Sequence, residues 1–213
     1  MRANRMNSAN VGLGIVLLAL SLLGTGCMSP MALNHQGASL DLSTKSIAVF
    51  TLSTSNAYRP FYNPNVQCVR ILSGNSEDRK FRVEQTCRSE SGSYDYLVSV
   101  DVQPGAHTLK NVMGNSFGPL VMATFDFPVE GTFQVPANSV TYVGHVEMVN
   151  RERQSGETRS GSIFPLVDQA VAGYSGGTFD VTLSDRSKTD IPLFTQNYPC
   201  LQGVQISTAV MHK

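Results

Sequence analysis

Between residues 94 and 102 apolar and polar side chains alternate with Leu97 as the one exception: Tyr94, Tyr96, Val98, Val100 and Val102 fall on one side, Asp95, Leu97, Ser99 and Asp101 on the other. Successive side chains of a strand point to opposite faces, so this stretch predicts a β-strand with one face buried and the other mostly wet. Related signals recur at short intervals. Residues 45–52 form an apolar run of the length expected for a strand buried on both faces, and 66–72 and 81–87 flank the turn-rich 73–78 as a hairpin. Pro104 and Gly105 suit the two central positions of a turn, after which 106–113, 120–129 and 131–135 each read as a strand. The strongest single pattern is 140–149, with Val140, Tyr142, Gly144, Val146 and Met148 expected to face one way; 179–183 and 204–210 close the set.

A helix is expected only between 185 and 198. Asp185 and Asp190 are both capping residues, and because Pro192 is tolerated only in a first turn, the start at Asp190 is preferred. Seven to nine short strands with one late helix predict an all-β chain, an antiparallel β-sandwich with one short C-terminal helix, with a closed barrel as the alternative.

The N-terminus has a different pattern. Arg2 and Arg5 precede a charge-free apolar run over 11–23, which ends in Gly24, Thr25, Gly26 and Cys27. A basic start, an apolar stretch too short to span a bilayer comfortably and small residues before a cut site predict a secretory signal peptide. With Cys27 directly after Gly26, the segment resembles a bacterial lipoprotein signal, although Gly24 stands where that pattern prefers leucine. The resemblance implies cleavage after residue 26 and acylation of Cys27; the alternative is an ordinary signal peptide that leaves Cys27 free. Residues 27–44 are small and polar and read as a flexible tether, leaving 45–213 as the folded domain. Met28 and Ser29 follow the cysteine in place of the aspartate linked to inner-membrane retention, so the expected location is the outer membrane, facing the periplasm.

Charge narrows the function classes. The chain carries 16 basic and 16 acidic residues, and cleavage removes two arginines, leaving a slight acidic excess. No basic stripe is available for a polyanion, so a nucleic-acid partner is not expected. The mixed charges around Arg70, Arg79, Lys80 and Arg82 read as a soluble hairpin surface. Cys68 and Cys87 lie equidistant from the centre of the expected 73–78 turn, and in an oxidising compartment they are the expected disulfide, with Cys200 left over. No Cys-x-x-Cys or nearby histidine supports a metal, and no cofactor is expected.

Candidate chemistry is sparse. Residues 173–177 and 114–118 both match Gly-x-Ser-x-Gly, yet 178–183 reads as a strand where a nucleophile elbow needs a helix, and only His212 follows Ser175. A serine hydrolase at Ser175 is therefore the least favoured reading, and no catalysis is expected. His145 and Glu147, two apart on a strand, share a face and are either a polar pair lining a groove or, preferably, a solvated sheet surface. Tyr58, Phe61 and Tyr62 sit in a proline-bounded loop, either packed over the sandwich edge or exposed as a binding surface.

Residues 102–147, through Pro104, Gly105, His107, Thr108 and Leu109 and then Phe133, Val135, Tyr142, Val143 and Gly144, resemble a group of uncharacterised bacterial lipoproteins built on a small transthyretin-like or carboxypeptidase-regulatory-like sandwich. Asp185, Asp190, Phe194, Tyr198 and Pro199 resemble the closing segment of such proteins. The resemblance spans about half of the mature chain and implies a fold and a location, with no activity attached. The expected function is that of an exported protein held to a membrane through its N-terminal lipid. It would bind or scaffold an envelope protein partner, or take an envelope glycan or peptide through Tyr58, Phe61, Tyr62, His145 and Glu147.

Overall fold

The computed structural model describes residues 28–33, 40–74, 77–84, 87–88, 93–118, 121–163 and 169–213. The signal segment 1–26, Cys27, residues 34–39 and the side chain of Cys87 lie outside the described residues. In chain order the elements are β1 (Ser46–Asn56), β2 (Asn65–Ser73), β3 (Asp78–Arg82), β4 (Cys87–Arg88), β5 (Tyr94–Val102), β6 (Gly105–Gly118), β7 (Val121–Val135), β8 (Val140–Glu152), β9 (Gly177–Ser184), α1 (Ser187–Asn197), a 3-10 turn (Pro199–Leu201) and β10 (Ile206–Thr208).

They form two facing sheets. One has the order β3-β2-β6-β7 and the other β10-β8-β1-β5-β4, with β9 also paired to β8. The all-β sandwich with one helix is therefore present, but it is not antiparallel throughout. β1 runs parallel to β8, and β10 also runs parallel to β8. Ten strands are described, against the seven to nine expected. The expected strand 81–87 is split between the sheets: Phe81 stays on β3 beside β2, whereas β4 pairs with β5 in the other sheet. In the opposite sense, 120–129 and 131–135 merge into β7, which continues through a bulge where Glu130 takes φ 56°.

The main core lies between the sheets, where Phe50, Leu52, Tyr96, Val98 and Val100 meet Val69, Ile71, Leu109, Phe125 and Phe127. A second core covers the outer face of the six-stranded sheet, where Ile47, Val49, Leu97, Val140 and Tyr142 pack under Phe194, Tyr198, Leu201 and Leu33. The outer face of β5, expected to be mostly wet, is thus largely covered; Leu97 and Ser99 are buried.

Part of that cover is the expected tether. Ser29 bridges to Phe81, with its N–H donating to the Lys80 carbonyl and its own carbonyl accepting from Arg82 N–H. Ala32 and Leu33 then bond to Ser99, and Leu33 is buried. Residues 29–33 cross from one sheet to the other instead of standing free, and Leu40 and Leu42 also pack on the second core.

Two further expectations change. In the β2–β3 hairpin Arg82 lies opposite Cys68, because the ladder centres nearer Gly74 than assumed, and Cys87 falls in the other sheet. Cys68 is a buried free thiol, raised in pKa chiefly by burial, and the expected disulfide with Cys87 is not formed. Helix α1 begins at Ser187, three residues before Asp190, with Asp185 accepting the Ser187 N–H at 2.8 Å. Pro192 is interior to it, and Asp190 is a buried residue of the helix face instead of its cap.

Candidate functional site

The site is built by a bulge in β8. Val49 pairs with Tyr142 and Thr51 pairs with His145, so Val143 and Gly144 of β8 stand opposite the single residue Phe50 of β1. Gly144 has φ +113°, a conformation that side chains resist and glycine accepts. The extra residue breaks the expected two-residue alternation. Val140 and Tyr142 point outward to the helix, whereas Val143, Val146 and Met148 point into the sandwich. His145 and Glu147 consequently follow Tyr142 on the outer face, beside Thr51 and Ser53 of β1.

Helix α1 closes over these residues. Asp190, 1% exposed, accepts two hydrogen bonds at one carboxylate oxygen, from Tyr142 OH at 2.7 Å and from Thr51 Oγ1 at 2.5 Å. Thr51 Oγ1 also lies 2.7 Å from His145 Nδ1. A hydroxyl has one proton, and that of Thr51 is committed to Asp190, so His145 Nδ1–H is the donor in this second bond. This leaves Nε2 unprotonated, and its single lone pair is shared between Ser53 Oγ and Arg186 Nη1, each at 3.2 Å. Burial and the Arg186 charge hold the His145 pKa down, to about 4, and keep the imidazole neutral. Burial and the Asp190 hydrogen bond raise the Tyr142 hydroxyl, so it stays a donor.

A cavity of about 320 Å³ opens beside this chain of bonds, lined by Thr51, Asp95, Leu97, His145, Leu193 and Asn197, with Arg186 and Asp190 at its side. Half of the Arg186 side chain is exposed. Register places Asp95 and Glu147 on either side of Ser53, on the two strands flanking β1. Of the residues singled out from sequence, His145 is here and is buried, contrary to the preferred solvated reading. Glu147 shares its face and is exposed, but the imidazole is oriented by Thr51. No family model, curated protein or solved structure matches the chain. The site must therefore be read from its own geometry.

The other candidates lie elsewhere. At the C-terminal end of β1 the loop 57–64 is clamped from below: Asn56 Nδ2 donates to the carbonyls of Tyr62 and Ala172, and Asn56 Oδ1 accepts from Arg59 N–H and Asn150 Nδ2. Tyr62 packs its ring on Gly118, where a Cβ would come within 2.4 Å of it, and Tyr58 lies under the Arg59 guanidinium. Phe61 is left 94% exposed. Ser175 sits in a turn directly before β9, with its carbonyl bonded by Arg159, so no helix follows it; Ser116 lies within β6. His107 is structural, placed against Phe133 and bonded to Ser73 Oγ and the Gln103 carbonyl. Among the described residues no three His, Cys, Asp or Glu side chains come together as metal ligands.

The sequence marks Thr51 only as part of the 45–52 strand, gives no sign of Ser53 or Arg186, and offers Asp190 as a cap. No local pattern marks them, since Thr51 and Asp190 are 139 residues apart.

The depressed His145 pKa fixes a pH dependence. The unfolded chain takes up a proton near pH 6.5 that the folded protein accepts only near pH 4. Above pH 6.5 the neutral imidazole's contribution is fully present, and it is lost as pH falls from 6.5 to about 4. The loss is expected to be roughly 2–3 kcal/mol. Urea unfolding at pH 7, 5 and 4 will show it, and His145→Gln, which cannot titrate, will flatten that part of the profile. A wild-type midpoint that does not move between pH 6.5 and 4 would refute the assignment.

Proposed function

We propose that this protein is exported, anchored to a bacterial membrane through a lipid on Cys27, and acts as a binding module that presents the loop 57–64 to an envelope protein partner. The observation that carries the reading is Phe61, a phenylalanine 94% exposed on a loop fixed by buried asparagines. Holding a large apolar side chain in water without letting it fold back suits an anchor that inserts into a partner, because the ordering cost of the loop is met before binding.

Geometry relative to the anchor supports this. Ser29 lies by Arg79 and Asp101 at the Ser46 end of β1, whereas the loop follows Asn56 at the other end. The 11 residues of β1 span about 30–35 Å at strand rise. A chain held at Cys27, two residues before Ser29, would thus turn Phe61 away from its own membrane. Phe117 and Met122, paired across the β6–β7 hairpin next to Gly118, extend the apolar surface at the same end. A glycan is less well suited than a protein, since the fully presented ring has no hydroxyl and Tyr62 is used in packing.

Two measurements test this. Intact mass of the protein from its host membranes should equal the chain from Cys27 plus acyl chains; an unlipidated mass removes the anchor. A photo-crosslinking residue at position 61 should join one envelope protein, whereas the same residue at Asp180 on the sandwich side should not. Phe61→Ala should abolish the complex while shifting stability by less than about 0.5 kcal/mol. Equal crosslinking at both positions, or binding untouched by Phe61→Ala, would defeat the reading.

A further inference from the structure

The geometry points to a second activity, independent of the loop: we propose that Ser53 and His145 form a nucleophile–base pair for acyl transfer, hydrolysing small carboxylic esters at the rim of the cavity beneath α1, where His145 lines the cavity and Ser53 lies beside it. The sequence offered no such pair, because the serine, the histidine and the groups that orient the histidine lie on three separate elements. Folding brings them into one line of hydrogen bonds. Ser53 Oγ faces Nε2 at 3.2 Å, Nδ1–H is fixed by Thr51 at 2.7 Å, and Thr51 is fixed by Asp190 at 2.5 Å, which Tyr142 holds from the other side. A nucleophile, a base and an orienting group in hydrogen-bond sequence is the arrangement that activates a serine. Here a threonine hydroxyl stands between the imidazole and the carboxylate. It transmits orientation, since its only proton is held by Asp190 and its lone pair can therefore only accept from Nδ1–H.

The proton count is the decisive point. A base must present an unprotonated Nε2 to the serine, and in this network it does, although Arg186 shares that nitrogen. Burial and Arg186 keep the imidazole neutral well below pH 7, at the cost of basicity, so a slow enzyme is expected. Arg186 is half exposed and bonded to Nε2 in the resting state. A substrate carbonyl oxygen entering the cavity would draw its guanidinium off the imidazole, freeing Nε2 and supplying the charge that a developing oxyanion needs. The carboxylates of Asp95 and Glu147, placed either side of Ser53, oppose an anionic substrate and favour esters that are neutral or carry a cationic group.

The steps balance as follows. As Ser53 Oγ bonds to the ester carbonyl carbon, its proton passes to His145 Nε2 and the carbonyl electron pair moves onto oxygen, opposite Arg186. The pair returns, the bond to the alkoxy oxygen breaks, and that oxygen leaves as an alcohol with the proton from Nε2. Water then attacks the acyl-serine, giving its proton to Nε2, and Ser53 leaves with that proton as the carboxylic acid is released.

The test is covalent labelling of the full-length, detergent-solubilised protein with an alkyl fluorophosphonate, followed by peptide mass spectrometry. The expected result is an adduct on Ser53 that is absent in Ser53→Ala and reduced at least about a hundredfold in His145→Gln. Ser53 is half-buried on the outer face, and Ser53→Ala should leave the thermal midpoint unchanged. Because His145→Gln removes buried hydrogen bonds and can fail to fold, the wild-type protein supplies a second readout. Its labelling rate should be flat above pH 6 and fall away as pH passes below about 5 towards 4, where Nε2 takes up a proton. Labelling at Ser175 instead, no adduct at Ser53, or a rate indifferent to pH across that range would overturn the proposal. Crosslinking at Phe61 is unaffected by any of these outcomes.

Discussion

Asp190→Ala is expected to destabilise the protein by about 3–5 kcal/mol, the cost of removing one partner from a buried charged network. Asp190 is 1% exposed and is the acceptor for both Tyr142 OH and Thr51 Oγ1, with Thr189 Oγ1 on its other oxygen. Truncation leaves the Tyr142 hydroxyl buried without its acceptor and strands Arg186 at the mouth of the cavity without its helix partner at 3.8 Å. Asp190 is the buried carboxylate through which α1 bonds to Thr51 and Tyr142 of the sheet, so the loss should appear as earlier release of α1 as well as a lower urea midpoint. Hydrogen exchange in 187–197 measures the first and denaturant unfolding the second. Asp190→Asn keeps an acceptor oxygen and should cost less than half as much. Equal stability for Asp190→Ala and wild type would show that the carboxylate is dispensable to the fold.

Gly144→Val should be as damaging, by about 3 kcal/mol or more, through backbone strain and overpacking together. At φ +113° a β-branched residue is strained whatever the space available, and here a Cβ would also lie 3.2 Å from both the Ser184 carbonyl oxygen and Val210 Cγ1. Relief by flattening the bulge is closed off. A regular β8 would turn His145 and Glu147 into the sandwich core and expose Val146 and Met148, which the fold buries completely. The variant should therefore unfold at lower denaturant without adopting a slipped register. A folded, native-like spectrum with unchanged stability would mean that the bulge does not depend on glycine.

These two positions show where reading the chain by itself succeeds and where it stops. β5 occupies 94–102, the span its alternation predicted, and Tyr96, Val98, Val100 and Val102 are its inner face. The period of a strand is a local property, and β5 is regular. The same reasoning assigned Val140, Tyr142, Gly144, Val146 and Met148 to one side, and the bulge at Gly144 divided them. A bulge leaves the composition of a strand unchanged, and its only local sign is a glycine in an otherwise apolar run. The fate of His145 turned on that one residue.

The all-β character, most strand positions and a late helix were therefore legible in short-range pattern, while the choice of two sheets over a closed barrel was not. Pairing was decided by tertiary structure alone. Parallel contact between β1 and β8 joins residues 94 apart at Thr51 and His145, and nothing near either one specifies the other. Burial on the outer face was decided in the same way, because Leu97, Ser99 and His145 lose solvent only when α1 and residues 29–33 fold back over them. The chemistry of the candidate site, a neutral histidine with one ring nitrogen fixed by Thr51 and the other beside Ser53 and Arg186, exists only once the bulge, the parallel pair and the helix are all in place.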